Sequence, residues 1–151
     1  MKIAFDTSVL VAGLVEAHPE FERASLWLDA ADRGVVSAVW STHAYAETWS
    51  VLTRLPLATR LSLEAVTAIL ESLVAVQPPQ ALLLTDYQAA AARCARFGSR
   101  SGAIFDALHL VAAERLGCDA LLTLNVRDFH RLEPRVPTLA PPPQLLLPGA
   151  P

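Results

Sequence analysis

The stretch that most limits what this chain can fold into lies at its start: Ile3-Ala4-Phe5-Asp6-Thr7-Ser8-Val9-Leu10, an apolar run ending in a carboxylate and two hydroxyl side chains. Such a run, followed at once by helix-compatible sequence, predicts a buried strand that turns into a helix. Open α/β sheets bind ligands outside the carboxyl ends of their strands, so an acid at Asp6 stands where chemistry is done. The position equally suits a turn residue, and Thr7 and Ser8 suit helix caps. Only the other acids of the chain separate these readings.

The alternation continues along the chain. Ser8 to Val15 predicts a short apolar helix, Ala17-His18-Pro19 interrupts it, and Glu20 to Arg33 predicts an amphipathic helix ended by Gly34, with Trp27 as a packing residue. Val35 to Trp40 predicts a strand, and Ser41 and Thr42 suit the start of a helix carrying His43, Glu47 and Arg54. Glu47 falls among Ala, Tyr, Trp, Val and Leu, and Arg54, two turns along, is placed to pair with it or to steer a substrate. His43 and Glu47 have the spacing of a metal pair, but zinc needs a third ligand of similar type and none is evident. After Pro56, Ser62 opens a helix whose Leu63, Val66, Ile69, Leu70, Leu73 and Val76 make one broad apolar face, fit for a core or an oligomer contact. Ala81 to Leu84 predicts a third strand. Thr85 and Gln88 have capping-box spacing, which predicts a helix from Asp86 to Phe97 stopped by Gly98, with Asp86 a structural acid in its first turn.

Ala103 to Ala113 predicts a strongly apolar helix that carries Asp106 and His109. A carboxylate is costly to bury unpaired, so Asp106 needs a cap, an arginine or a metal ion. His109, one turn on, reads as a hydrogen-bonded core or surface histidine. Gly117 closes this helix, Ala120 to Thr123 predicts a fourth strand, and Asn125 and Asp128 follow its end as candidates for the same site as Asp6. Thr138 to Ala140 predicts an edge strand. The expected fold is α/β and three-layered: a central, mostly parallel sheet of four or five strands with helices on both faces. Residues 1–140 form the domain and 141–151 a Pro-rich extended tail, with Leu145-Leu146-Leu147 packing on the domain or on a partner.

Composition narrows the chemistry. Lys2 is the only lysine, and Cys94 and Cys118 are isolated, which suits buried free thiols in a reducing cytoplasm. No apolar run reaches the ~20 residues that span a bilayer, so no membrane role is expected. A net charge of −3 argues against a protein held on nucleic acid by a large positive field, but not against an enzyme acting on RNA. Arg93, Arg96 and Arg100 make a small positive patch, which suits either a solvated helix face or contact with RNA phosphates. Carboxylates gathered without lysine or cysteine favour Mg²⁺, with Mn²⁺ as its substitute, and such an ion supports attack of water on phosphorus.

With Phe5-Asp6-Thr7-Ser8, Glu47, Phe105-Asp106-Ala107-Leu108, and Leu122-Thr123 followed by Arg127-Asp128-Phe129, in that order, the chain resembles the PIN-domain ribonucleases, in particular the VapC toxins of bacterial toxin–antitoxin pairs. The resemblance covers nearly the whole chain. It implies the toxin component of a type II system, a Mg²⁺-dependent endoribonuclease, commonly a homodimer, inhibited by a cognate VapB antitoxin. It further implies Asp6 and Asp106 as the main metal-binding acids and Glu47 in support, through a bound water or a second metal position. The fourth position is Asn125 or Asp128, because many relatives carry an acid where Asn125 stands here. Thr7, Ser8 and Thr123 orient carboxylates or waters in this scheme. A phosphatase of the haloacid dehalogenase type needs a second acid where Ser8 stands and a downstream lysine, and the chain has neither. A catalytically silent PIN-like domain that binds RNA or a partner is the alternative, opposed by the joint presence of Asp6, Glu47 and Asp106.

Overall fold

The structure, a computed structural model, describes residues 1–56 and 60–145. In chain order its elements are β1 (Lys2–Phe5), α1 (Thr7–Leu14), α2 (Phe21–Asp32), β2 (Ser37–Val39), α3 (Thr42–Leu52), α4 (Leu63–Val76), α5 (Leu84–Arg96), α6 (Ala103–Arg115), β3 (Ala120–Leu122), α7 (Val126–His130) and β4 (Thr138–Leu139). The strands form one sheet in the order β2-β1-β3-β4, every neighbouring pair parallel. This is the three-layer α/β arrangement expected from the sequence.

The period-two alternation of strand side chains separates the layers. Ile3 and Phe5 of β1 and Ala120 and Leu122 of β3 pack with α1, α2 and Ala44 of α3. Ala4 and Leu121, between them in sequence, face the opposite way and pack with α5, α6 and α7. Strands buried on both faces read as continuous apolar runs, as these do. Val66 and Leu70 of α4 form a third cluster with Val11, Val15 and Leu52, whereas Leu63 and Val76 of the same apolar stripe stay exposed.

The topology decides where a site can form. From β1 the chain crosses to β2 on one side and later enters β3 on the other, so the crevice beyond the carboxyl ends of β1 and β3 is a topological switch point. Asp6 and Thr123 are the first residues past those two strands.

Two expectations are corrected. Residues 81–84 form no strand; Gln80 makes a single bridge to Ser41, and Leu84 already opens α5. The cause is Asp86, buried at the helix start, which accepts the Leu83 N–H at 2.8 Å and the Arg115 Nε–H at 2.8 Å. Arg115 Nη2 also donates to the Ala81 carbonyl at 3.1 Å, engaging a group that a sheet ladder would use. The helix is therefore started by Asp86 reaching back to Leu83, not by Thr85 and Gln88, although Asp86 has the structural role expected of it.

Beyond β4 the proline-rich segment is tied down as far as it is described. Arg23 Nε donates to the Pro141 carbonyl at 3.0 Å, Trp27 Nε1 donates to the Pro142 carbonyl at 2.9 Å, and Leu145 packs on the core beneath α2. Leu146 and Leu147 lie outside the described residues. Both cysteines are buried and unpaired. Among the described residues no helix is long and apolar enough to cross a membrane.

Candidate active site

Asp6 is held by backbone and side chain alike. Its N–H donates to the Leu122 carbonyl at 3.0 Å, which ties it to β3, and its carbonyl accepts the first bonds of α1. It stands at the N-cap of α1 but its side chain makes no capping bond, and Thr7 and Ser8, expected as caps, lie inside the helix and turn their hydroxyls to the acids. Asp6 Oδ2 accepts Ser8 Oγ–H and Thr123 Oγ1–H, each at 2.7 Å. Ser8 Oγ in turn accepts the Leu124 N–H at 2.9 Å, and Thr123 Oγ1 the Asn125 N–H at 3.0 Å. Two hydroxyls thus fix one oxygen of a buried carboxylate and leave Oδ1 without a hydroxyl donor.

Glu47 reaches the same place from α3, whose start is fixed by Ser41 Oγ accepting the Ala44 N–H at 3.1 Å. Thr7 Oγ1–H donates to Glu47 Oε2 at 2.8 Å. His109, from α6, is the hub: its Nε2 stands 3.0 Å from Glu47 Oε2, 3.3 Å from Asp6 Oδ1 and 3.4 Å from Thr7 Oγ1. Burial works against a proton on His109, but the Glu47 hydrogen bond and the charges of Asp6, Glu47 and Asp106 prevail and raise its affinity for one. Burial likewise works against the Glu47 carboxylate, but hydrogen bonding from His109 and Thr7, with His43 close by, holds it well below the usual carboxylate range. His43 Nε2 lies 3.4 Å from Glu47 Oε2, in a geometry that leaves this buried nitrogen without a proper hydrogen bond. Its ring stacks on Phe105, centroids 5.0 Å apart, which joins α3 to the start of α6.

Asp106 is the acid that lacks a cation. Among the described residues it has no salt-bridge partner, and its carboxyl is pushed up to about 6 by burial and by the charges of Asp6, Asp128 and Glu47, His109 opposing. Asp6, Glu47, Asp106 and Asn125 line one cavity of about 590 Å³, with Thr7, Ser8 and His18. Val11, Val51, Leu55 and Pro56 supply its apolar wall.

The other predicted positions divide. Asn125 lines the cavity; Asp128 does not, being exposed and paired with Arg131 at 3.2 Å, although its charge reaches Asp106. Arg54 donates from Nε to the Ser50 carbonyl at 3.1 Å and does not pair with Glu47. Arg93 and Arg96 of the expected patch line a second cavity, between α5 and α6. Arg93 is clamped by both Glu114 oxygens at 2.7 and 2.9 Å, Arg96 lies over the Phe97 ring at 5.0 Å, and Arg100 sits past the end of α5. None of the three lines the acid cavity.

Sequence reasoning missed His109 as a member of the site, and His18 as part of its wall. The signal for His109 was present. A histidine one turn after Asp106 in an otherwise apolar helix must find a polar partner in the core, and acids on other elements are what the fold provides.

The donor set fits a hard divalent ion. Among the described residues no three His, Cys, Asp or Glu side chains are already arranged as a cage for a metal. Mg²⁺ does not require one, because it binds through one or two carboxylates and keeps several waters. Asp106 without a cation and Asp6 with one oxygen free of hydroxyl donors, in a cavity with room for water, meet that need.

The PIN domain profile matches residues 3–133. Ribonuclease VapC40 of Mycobacterium tuberculosis is 38% identical over 131 residues, covering 87% of this chain and 92% of the relative. Among solved structures, VapBC2 from Rickettsia felis, bound to a DNA fragment from its promoter, aligns with a TM-score of 0.68 at 15% identity, over 93% of this chain and 98% of that one. The sarcin-ricin loop cleaving toxin VapC20 of Mycobacterium tuberculosis aligns with a TM-score of 0.63 at 21% identity, over 79% and 86%. The chain belongs to the PIN-domain family. Within that family its likeness is to the VapC-type ribonucleases, and it is an endoribonuclease of that toxin type.

Proposed function

We propose that this endoribonuclease hydrolyses RNA phosphodiester bonds at the cavity formed by Asp6, Glu47, Asp106 and Asn125, with Mg²⁺ as its cofactor. The observation that carries the reading is Asp6: one oxygen is fixed by Ser8 and Thr123, the other lies 3.3 Å from His109 Nε2, and the neighbouring Asp106 has no salt-bridge partner among the described residues. Asp6 and Asp106 would hold the ion, Asn125 would add a neutral oxygen, and Glu47 would orient water. Asp128 would act through its charge. What Mg²⁺ supplies when bound is a more acidic water and stabilisation of the charge that develops on the phosphate oxygens, and Mn²⁺ shares its preference for oxygen.

The chain's own groups do the positioning. Ser8 and Thr123 keep Asp6 from rotating, and Thr7 and His109 do the same for Glu47. The apolar wall of Val51, Leu55 and Pro56 limits water on one side. The cytoplasm suits an RNA substrate and two unpaired thiols. Leu83, Leu84 and Tyr87, exposed along the start of α5, support a homodimer, and a VapB-type antitoxin would hold the toxin in check; light scattering of the purified complex checks both.

Antitoxin-free protein incubated with structured RNA is expected to cut it when Mg²⁺ is present, to stop in EDTA, and to resume when Mg²⁺ is restored. Cutting that continues in EDTA, or no cutting with any divalent ion, overturns the reading.

A further inference from the structure

A second cavity, of about 530 Å³, opens between α5, α6 and the segment before β4. Four of the chain's eleven arginines line it: Arg93, Arg96, Arg115 and Arg135. Glu114 is its only acid among the described residues, and both Glu114 oxygens are already used, by Arg93 Nη2 at 2.7 and 2.9 Å and by the Arg135 backbone N–H at 2.9 Å. Arg115 is engaged by Asp86 from outside the cavity. Arg96 and Arg135 have no acidic partner among the described residues, so their charge is not cancelled. Arg96 lies over Phe97, which orders its planar fork before any ligand arrives. Arg93 is nine-tenths buried, and its Nη1 has no hydrogen-bond acceptor among the described residues.

We propose that this cavity binds a phosphate group of the RNA backbone, apart from the place of cleavage. Guanidinium forks match phosphate oxygens, and a half-buried pocket screens the attraction less than open surface does. In a chain of net charge −3, uncancelled arginines gathered at one cavity are the feature best able to hold a polyanion against the general repulsion. The cavity shares no lining residue with the acid site. Asp106 and Glu114 lie on one helix, eight residues apart, which is about 12 Å of helix rise. An RNA lying across α6 would therefore touch both places, and its folded shape, more than its sequence at the cut, would be measured between them. The proposal rests on the ribonuclease reading for its ligand. It keeps Arg93 and Arg96 of the sequence-based patch, drops Arg100, and adds Arg115 and Arg135, which the sequence did not single out.

The test is RNA binding by Arg96→Gln/Arg135→Gln, read by fluorescence anisotropy of a structured RNA in EDTA over a salt series. The control is Arg33→Gln/Arg60→Gln, which removes the same charge from two exposed positions outside the cavity lining. All four positions are on the surface, and circular dichroism checks the folds. At about 100 mM salt the double variant is expected to bind five- to tenfold more weakly, and its log K against log salt slope to fall by about 1 to 2, against little change in the control. Affinity and slope equal to the control overturn the proposal. Inorganic phosphate binding at the cavity with RNA affinity unmoved also overturns it, as does competition there by polyglutamate but not by RNA, which assigns the cavity to an acidic protein segment. Binding is read without cleavage, so failure here is distinct from failure of the metal-dependent reading, which shows as absence of cutting with Mg²⁺.

Discussion

Asp106 costs the fold something that the site requires. Its carboxyl is raised to about 6, chiefly by burial and then by the charge of Asp6, so between the ordinary carboxylate range and pH 6 the folded chain holds a proton that the unfolded chain has released. Stability tied to this group is present at low pH and is lost as pH rises through about 6. Asp106→Asn is therefore expected to stabilise the metal-free protein at pH 7 by about 1–2 kcal/mol, a figure already reduced for partial solvation. Denaturant titrations at pH 4 and pH 7 check this: the gain should shrink towards pH 4, and RNA cleavage should be lost. A variant that is less stable at pH 7 would mean that Asp106 is an ordinary structural acid. Much of this scale was legible in the sequence. Thr7, Ser8 and Thr123 hydrogen-bond to the carboxylates of Glu47 and Asp6, because a hydroxyl next to a fixed acid has few other acceptors. His109 was not legible, since its role depends on Glu47 and Asp6 arriving from two other elements.

Elements were legible where a local signal sets them and illegible where a distant residue does. Ser41 and Ser62 cap α3 and α4 through their own hydroxyls, and each was visible as a helix start. Residues 81–84 read as a strand because they are apolar, yet Leu84 is 73% exposed and the segment is claimed by Asp86 and by Arg115 from α6. No window of sequence around residue 84 contains Arg115. Removing that anchor tests its weight. Asp86→Ala loses a buried ion pair and the cap on Leu83, and should cost about 2–3 kcal/mol of unfolding free energy. The Mg²⁺ concentration needed for half-maximal cleavage should not move, because Asp86 is absent from the lining of the acid cavity. Thermal melts and a metal titration of the same variant separate the two effects.

At the scale of the molecule, the sheet order carries the function. Alternating strands and helices announced a parallel α/β fold, but the order β2-β1-β3-β4 is set by packing between segments more than a hundred residues apart in sequence, as in the Ser8 and Thr123 contacts. That order puts β1 beside β3, so Asp6 meets Thr123 and Asn125, while α3 and α6 lean in with Glu47 and Asp106. The choice between Asn125 and Asp128 could not be read from sequence, because both follow β3 and only the turn into α7 decides which one lines the cavity. The central claim is that Asp6 holds the ion rather than the fold. It is tested most directly by the cleavage rate of Asp6→Asn on a structured RNA across a Mg²⁺ series, with circular dichroism run beside it. The account predicts a native spectrum and a rate reduced by about a hundredfold or more, with no recovery at high Mg²⁺. Cleavage at the wild-type rate in a folded Asp6→Asn protein would contradict it.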